Sequence, residues 1–166
     1  MEKVPLPIAL HCAGGMKMNR RYAVLLVVIL FSAAGAGSQT FAQTGTEENA
    51  VRQTVNTYLH GLKFNDVESF KKAFHPSAKL FFVRKNGELG ELTQEQWYRG
   101  FASSAGKEEP GDLRIASLEI TGQAASVKVV EIYADSTYTD YISLLKLADG
   151  WKIVNKIYQM EKRAAQ

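Results

Sequence analysis

The chain has 166 residues and a formal net charge of +3, but that charge is unevenly placed. Residues 1–42 hold four basic side chains (Lys3, Lys17, Arg20, Arg21) and one acidic one (Glu2), so taking them from totals of 20 and 17 leaves 16 of each and a neutral remainder. A neutral domain lacks the basic stripe that nucleic-acid binding needs, and with its one cysteine at Cys12 the rest of the chain holds no disulfide, thiolate nucleophile, cysteine metal site or lipoprotein anchor.

Lys17, Arg20 and Arg21 precede an apolar run, AVLLVVILFSAA (Ala23–Ala34), and small and polar residues follow it up to TFAQ. Those three parts predict a secretory signal peptide with cleavage after Ala42, and translation starting at Met16 or Met18. The run is shorter than the roughly 20 residues that span a bilayer, so no stable membrane insertion is expected after cleavage. The chain therefore reads as a leader over residues 1–42 and a single domain over 43–166, placed in the periplasm or secreted.

From Glu47 the pattern is helical: Val51, Val55, Tyr58, Leu59 and Leu62 fall on one face. A second short helix, DVESFKKAF, has Asp66 as its N-cap and ends before His75-Pro76. AKLFFV is a strand, Asn86-Gly87 a turn, and Thr93-Gln-Glu-Gln96 a capping box that opens a third helix with Trp97, Tyr98 and Phe101. After the GKEEPGD loop come four strands, LRIASLEI, AASVKVVEIY, TYTDYISLLKL and WKIVNKIYQ. Helices followed by a meander of antiparallel strands mean an α+β domain with its helices on one face of the sheet.

Cross-strand partners share a face, which allows the faces to be assigned. In the last hairpin a two-residue Asp149-Gly150 turn mixes charged and apolar side chains on both faces. A three-residue Ala148-Asp149-Gly150 loop instead pairs Leu147 with Trp151, Leu145 with Ile153 and Ser143 with Asn155. That places Tyr141, Ser143, Leu145, Trp151, Ile153 and Asn155 inside and Asp140 outside. In the preceding hairpin, Gly122-Gln123 pairs Leu118 with Val127 and Ala116 with Val129, and sets Arg114 opposite Glu131. Ile142, Leu144, Val154 and Tyr158 then fall on an outer face too apolar to be fully wet, which predicts a homodimer through that face.

Three helices beginning AVRQTVNTYLHGLKFNDVESFKKAFHPSAKL, followed by strands ending DYISLLKLADGWKIVNKIY, resemble the nuclear transport factor 2-like superfamily. Within it they are most similar to the bacterial branch described as "putative lumazine-binding", close to the SnoaL-like polyketide cyclases. The resemblance runs from about Glu47 to Gln159, and AFHP at Ala73–Pro76 and the block from Asp140 to Lys156 are its most specific parts. It implies a cone, a strongly curved antiparallel sheet wrapped around three N-terminal helices, with a cavity at the wide end, and frequent dimers. It does not imply one function, because the same cone hosts isomerases, cyclases, dehydratases and binding modules.

An apolar cup with a few convergent polar groups is the usual form of a small-molecule site. Tyr58, Tyr133, Tyr141, Ser143 and Asn155 are the expected lining, with Arg114 and Glu131 toward the mouth. Arg114 and Glu131 have two readings, a rim ion pair or acid–base chemistry, and His75 is either a base near the cup or a helix-end residue. His60 lies opposite the first helix's apolar stripe and reads as solvated. With no histidine, cysteine or carboxylate cluster at ligand spacing, no metal and no cofactor are expected. The functional expectation is an exported domain that binds a small apolar or aromatic molecule. An isomerase, cyclase or dehydratase working through Glu131 or His75, and a purely dimerising module, are the alternatives.

Overall fold

The long first helix, α1 (Ala36–Phe64), carries the expected stripe, with Val51, Val55, Tyr58, Leu59 and Leu62 all buried. The computed structural model describes residues 36–164, with side chains from residue 45, so the expected start sites and the apolar run lie outside the described residues, whereas the expected cleavage site after Ala42 falls within α1. Asn65 ends α1 in the left-handed region (φ 51°), which asparagine tolerates better than most residues. There the Asp66 N–H reaches back to the Gly61 carbonyl (2.9 Å). Asp66 then caps α2 (Val67–Ala73) by accepting from the Glu68 N–H. The chain is already extended at Phe74, where β1 (Phe74–Val83) begins, so Pro76 sits in a strand rather than at a helix end.

A turn through Gly87 (φ 85°) leads to β2 (Leu89–Thr93), a short strand that the sequence reading did not include. Thr93 and Gln96 form the expected reciprocal capping box at the start of α3 (Gln94–Tyr98), which continues as a 3-10 turn over Arg99–Ser104. Thr93→Ala is expected to cost about 1 kcal/mol by urea denaturation. No measurable change would mean that the Gln96 side chain alone satisfies that helix end.

Strands β3 (Asp112–Thr121), β4 (Ala124–Ile132), β5 (Ser136–Leu147) and β6 (Gly150–Lys162) complete a six-stranded sheet of order β2-β1-β6-β5-β4-β3. Its neighbours are antiparallel except β1 and β6, which run parallel. One face receives α1 and the aromatic cluster around Trp97, whose ring centroid lies 4.5 Å from that of Phe70 and 5.6 Å from that of Phe74. No helix among the described residues is long and apolar enough to cross a membrane.

Two β-bulges decide which residues face inward. Ala116 is an extra residue in β3, so Ile115 rather than Ala116 lies opposite Val129, and Leu113 rather than Arg114 lies opposite Glu131. In β6 the extra residue is Val154, between Ile153 (opposite Leu144) and Asn155 (opposite Ser143). A bulge reverses the in–out alternation beyond it. Trp151 and Ile153 are therefore buried before the bulge and Lys156 after it. The last hairpin turns over Ala148-Asp149, with Leu147 opposite Gly150, one residue shorter than the expected loop. The buried alternation on β5 is accordingly Asp140, Ile142 and Leu144, the reverse of the expectation. Ile142 and Leu144 are thus core rather than dimer-facing, and Val154 and Tyr158 are half-buried. The apolar side chains on the opposite face are Tyr141, Leu145 and Ile157.

Candidate functional site

Four groups that could carry charge meet beneath the sheet. The inner row of β4 runs Ala125, Val127, Val129, Glu131, so the alternation that buries its apolar residues also buries a carboxyl, which is 3% exposed. On β5 the same logic buries Asp140, at 0% exposure, opposite Val129. The Val154 bulge turns Lys156 inward opposite Ile142, where it is 4% exposed. Tyr58 reaches them from the middle of the α1 stripe.

Their contacts constrain where the hydrogens lie. The Tyr58 hydroxyl is 2.5 Å from Asp140 Oδ2, 3.0 Å from Glu131 Oε1 and 2.9 Å from Lys156 Nζ. Lys156 Nζ also donates to Asp140 Oδ2 at 2.8 Å. A phenol has one hydrogen, so it cannot donate to both carboxyls. If it donates along the shorter contact to Asp140, the contact with Glu131 needs a hydrogen carried by Glu131. The electrostatics agree: burial first, and then the Asp140 charge, push the Glu131 carboxyl up to about 8 despite the opposing effect of Lys156. Glu131 is therefore mostly a neutral acid at pH 7, and Asp140 with Lys156 forms the ion pair. Burial and the two neighbouring carboxyls hold the Tyr58 hydroxyl well above the usual phenol range, so it stays protonated. Asp140 Oδ1 is buried without a hydrogen-bond partner, an arrangement that costs on the order of 1 to 3 kcal/mol.

This network forms one end of a cavity of about 380 Å³, within the size range of small-molecule sites. Glu131 and Lys156 line its buried end, and Trp97, Phe101, Tyr133, Tyr138 and Tyr158 supply aromatic walls. The exposed Glu109 and Asp135 lie at its solvent end. Asn65 is fixed beside it by donating to the Lys107 carbonyl at 2.8 Å. Tyr133 donates to Glu131 Oε2 at 3.3 Å, and burial with the Glu131 charge raises its own pKa.

Of the residues singled out in the sequence, the structure brings Tyr58, Glu131 and Tyr133 together. It separates the others. Arg114 is exposed and paired with Asp112 at 2.5 Å, because the Ala116 bulge turns it away from Glu131. Ser143 and Asn155 are cross-strand partners as expected, but with Tyr141 they line a hollow of about 300 Å³ on the opposite face, because the shorter hairpin loop turns Tyr141 and Ser143 there and the Val154 bulge turns Asn155. His75 does not line the cavity; its Nδ1 lies 2.7 Å from Ser77 Oγ, and its carbonyl accepts from Gln94. Asp140, Lys156, Trp97, Tyr138 and Tyr158 are not among the site residues expected from the sequence. Among the described residues no group of three or more histidine, cysteine or carboxylate side chains could hold a metal ion.

The fold is shared with solved structures, each described as a nuclear transport factor 2-like protein of unknown function. A protein from Silicibacter pomeroyi DSS-3 is 22% identical, with TM-score 0.64 over 71% of this chain and 98% of that one. One from Shewanella baltica OS155 is 25% identical, with TM-score 0.63 over 70% and 94%. One from Methylobacillus flagellatus KT is 23% identical, with TM-score 0.62 over 70% and 93%. No curated protein sequence matches the chain. Residues 46–159 match the family model described as "Putative lumazine-binding", most of the chain's length, and the protein belongs to that family within the nuclear transport factor 2-like superfamily.

Proposed function

We propose that this domain binds a small, flat, largely apolar or aromatic molecule in the cavity, between the aromatic walls and the Glu131–Lys156 end. One observation carries the reading: a cavity of about 380 Å³ with five aromatic side chains in its lining and two buried ionisable groups at one end. Family membership supports a ligand-binding domain. Flat rings gain from stacking and edge contacts with aromatic walls, and the buried polar groups select orientation.

The leader pattern supports export, and we extend the proposal to a periplasmic or secreted domain. Tyr141, Leu145 and Ile157, each more than 40% exposed on the sheet's other face, support pairing of two copies there. The test is native mass spectrometry of the protein purified from its own envelope fraction, compared with the same sample denatured. An added mass lost on denaturation, and reduced in Tyr138→Ala, is the expected result. Absence of any added mass, with no thermal stabilisation by a library of small ring compounds, overturns the reading. A saturating ligand at 100 times its Kd stabilises the fold by about 2.7 kcal/mol, well within detection.

One observation favours a second reading as an acid–base enzyme: Glu131 lines the cavity and carries a proton near neutral pH. Under that reading Glu131→Gln abolishes turnover of the bound molecule while leaving it bound. His75 has no part in it, because it lies away from the cavity.

A further inference from the structure

We propose that the molecule taken by this cavity is an organic cation, a protonated amine or a quaternary or heteroaromatic nitrogen carried on a flat ring, with its charge set against Glu131. The inference rests on the ligand-binding reading above and adds the sign of the ligand's charge. Three carboxyl groups line the cavity, Glu109 and Asp135 toward solvent and Glu131 at the buried end. The one cationic side chain in the lining, Lys156, is 2.8 Å from Asp140 Oδ2, so its charge is already matched. An incoming anion would pass two carboxylates and find no unmatched cation in the lining; the Arg163 guanidinium lies outside it and donates to the Tyr133 carbonyl at 2.6 Å. An incoming cation meets the opposite field.

The rings point the same way. Aromatic faces attract a cation within about 6 Å of the ring centroid. The Lys156 ammonium uses this already, at 5.3 Å from Tyr58, 5.3 Å from Trp97 and 5.0 Å from Tyr158. Phe101, Tyr133 and Tyr138 add three further rings to the wall. The groups around Glu131 are Tyr58 from α1, Tyr133 from β4, Tyr138 and Asp140 from β5, Lys156 and Tyr158 from β6, and Glu109 from the loop before β3. Only Lys156 among them is cationic. A cation bound beside the neutral Glu131 carboxyl favours its carboxylate, so that one proton leaves to solvent for each cation bound and the charge at the buried end is unchanged. Tyr58 then loses the hydrogen bond from Glu131 and keeps the one from Lys156.

The test is calorimetric titration of the purified protein with three probes of similar size: benzyltrimethylammonium, benzyl alcohol and phenylacetate. Each is run at pH 7 in two buffers of different ionisation heat, which counts protons exchanged. The cation is expected to bind at least about tenfold more tightly than phenylacetate, with close to one proton released. Its affinity should rise about tenfold from pH 7 to pH 9, as Glu131 ionises without it. Glu131→Gln should weaken cation binding and remove both the proton release and the pH dependence, with an unchanged circular dichroism spectrum confirming the fold. Equal or tighter binding of the alcohol or phenylacetate, or cation binding without proton release, overturns this inference and leaves the ligand-binding reading standing. Binding of none of the three probes also overturns it, while the ligand-binding reading is judged separately by the mass carried from the envelope fraction.

Discussion

Lys156→Met is expected to destabilise the protein by about 3 to 5 kcal/mol, among the largest losses any single substitution here should produce. The methionine is apolar and of similar length, so little packing is lost. What remains is the Asp140 carboxylate at 0% exposure, with Oδ1 already unpartnered and Oδ2 reduced to its contact with Tyr58. A buried charge without its counter-charge is far costlier than the pair, because the pair's attraction largely offsets the desolvation of both members. The double variant Lys156→Met with Asp140→Leu is accordingly expected to be more stable than Lys156→Met alone. Urea denaturation of the two single variants and the double gives the coupling energy, and a value near zero would show that Lys156 and Asp140 act independently. The position of Lys156 also depends on the bulge, since without Val154 as the extra residue the alternation that buries Ile153 would turn Lys156 to the other face.

The bulges also explain which parts of the site were legible in the sequence. The helices were, because α1 repeats its apolar residues over three turns and its stripe leaves one consistent face. The inner row of β4 was too: Ala125, Val127, Val129 and Glu131 alternate with exposed or half-buried residues, so that Glu131 follows from the apolar residues before it. β5 offers no such guide, since Asp140, Ile142, Leu144 and Tyr141, Ser143, Leu145 are both sets of one polar and two largely apolar members, or nearly so. The choice between them fell to the hairpin loop, and a loop one residue shorter inverted it. No local signal marks Val154 or Ala116 as an extra residue, because a bulge is set by the curvature of the whole sheet and by what the helices need beneath it. The pairing of Ser143 with Asn155 survived because the loop error and the bulge cancel along the strand, although both residues lie on the other face. Asp140 and Lys156 were hidden for a further reason: a strand read for its apolar alternation assigns charged residues to solvent, and this site places two of them inside.

Glu131→Gln is expected to stabilise the protein at neutral pH by up to about 3 kcal/mol and to leave it almost unchanged at pH 4. The sign follows from where the proton sits. In the unfolded chain the carboxyl ionises near the ordinary value of 4.5, whereas in the folded chain burial and the Asp140 charge hold it protonated up to about 8. Between those values the unfolded state has lost the proton and the native state keeps it, so stability falls by about 1.4 kcal/mol per pH unit as pH rises. The contribution of Glu131 is complete below pH 4.5 and lost once pH passes about 8. An amide does not ionise, and its NH₂ can donate to the Tyr58 oxygen as the protonated carboxyl does, so the substitution removes the penalty and keeps the contact. Denaturation curves at pH 4, 6 and 8 read the effect directly, and a stability difference that stays constant across them would mean that Glu131 ionises normally in the fold. A chain selected for stability alone would place an amide or an apolar residue at this position. Retaining a carboxyl that is costly at neutral pH fits a group used for binding or proton transfer, and the stabilised variant is expected to lose affinity for the ligand under the first role and turnover of it under the second.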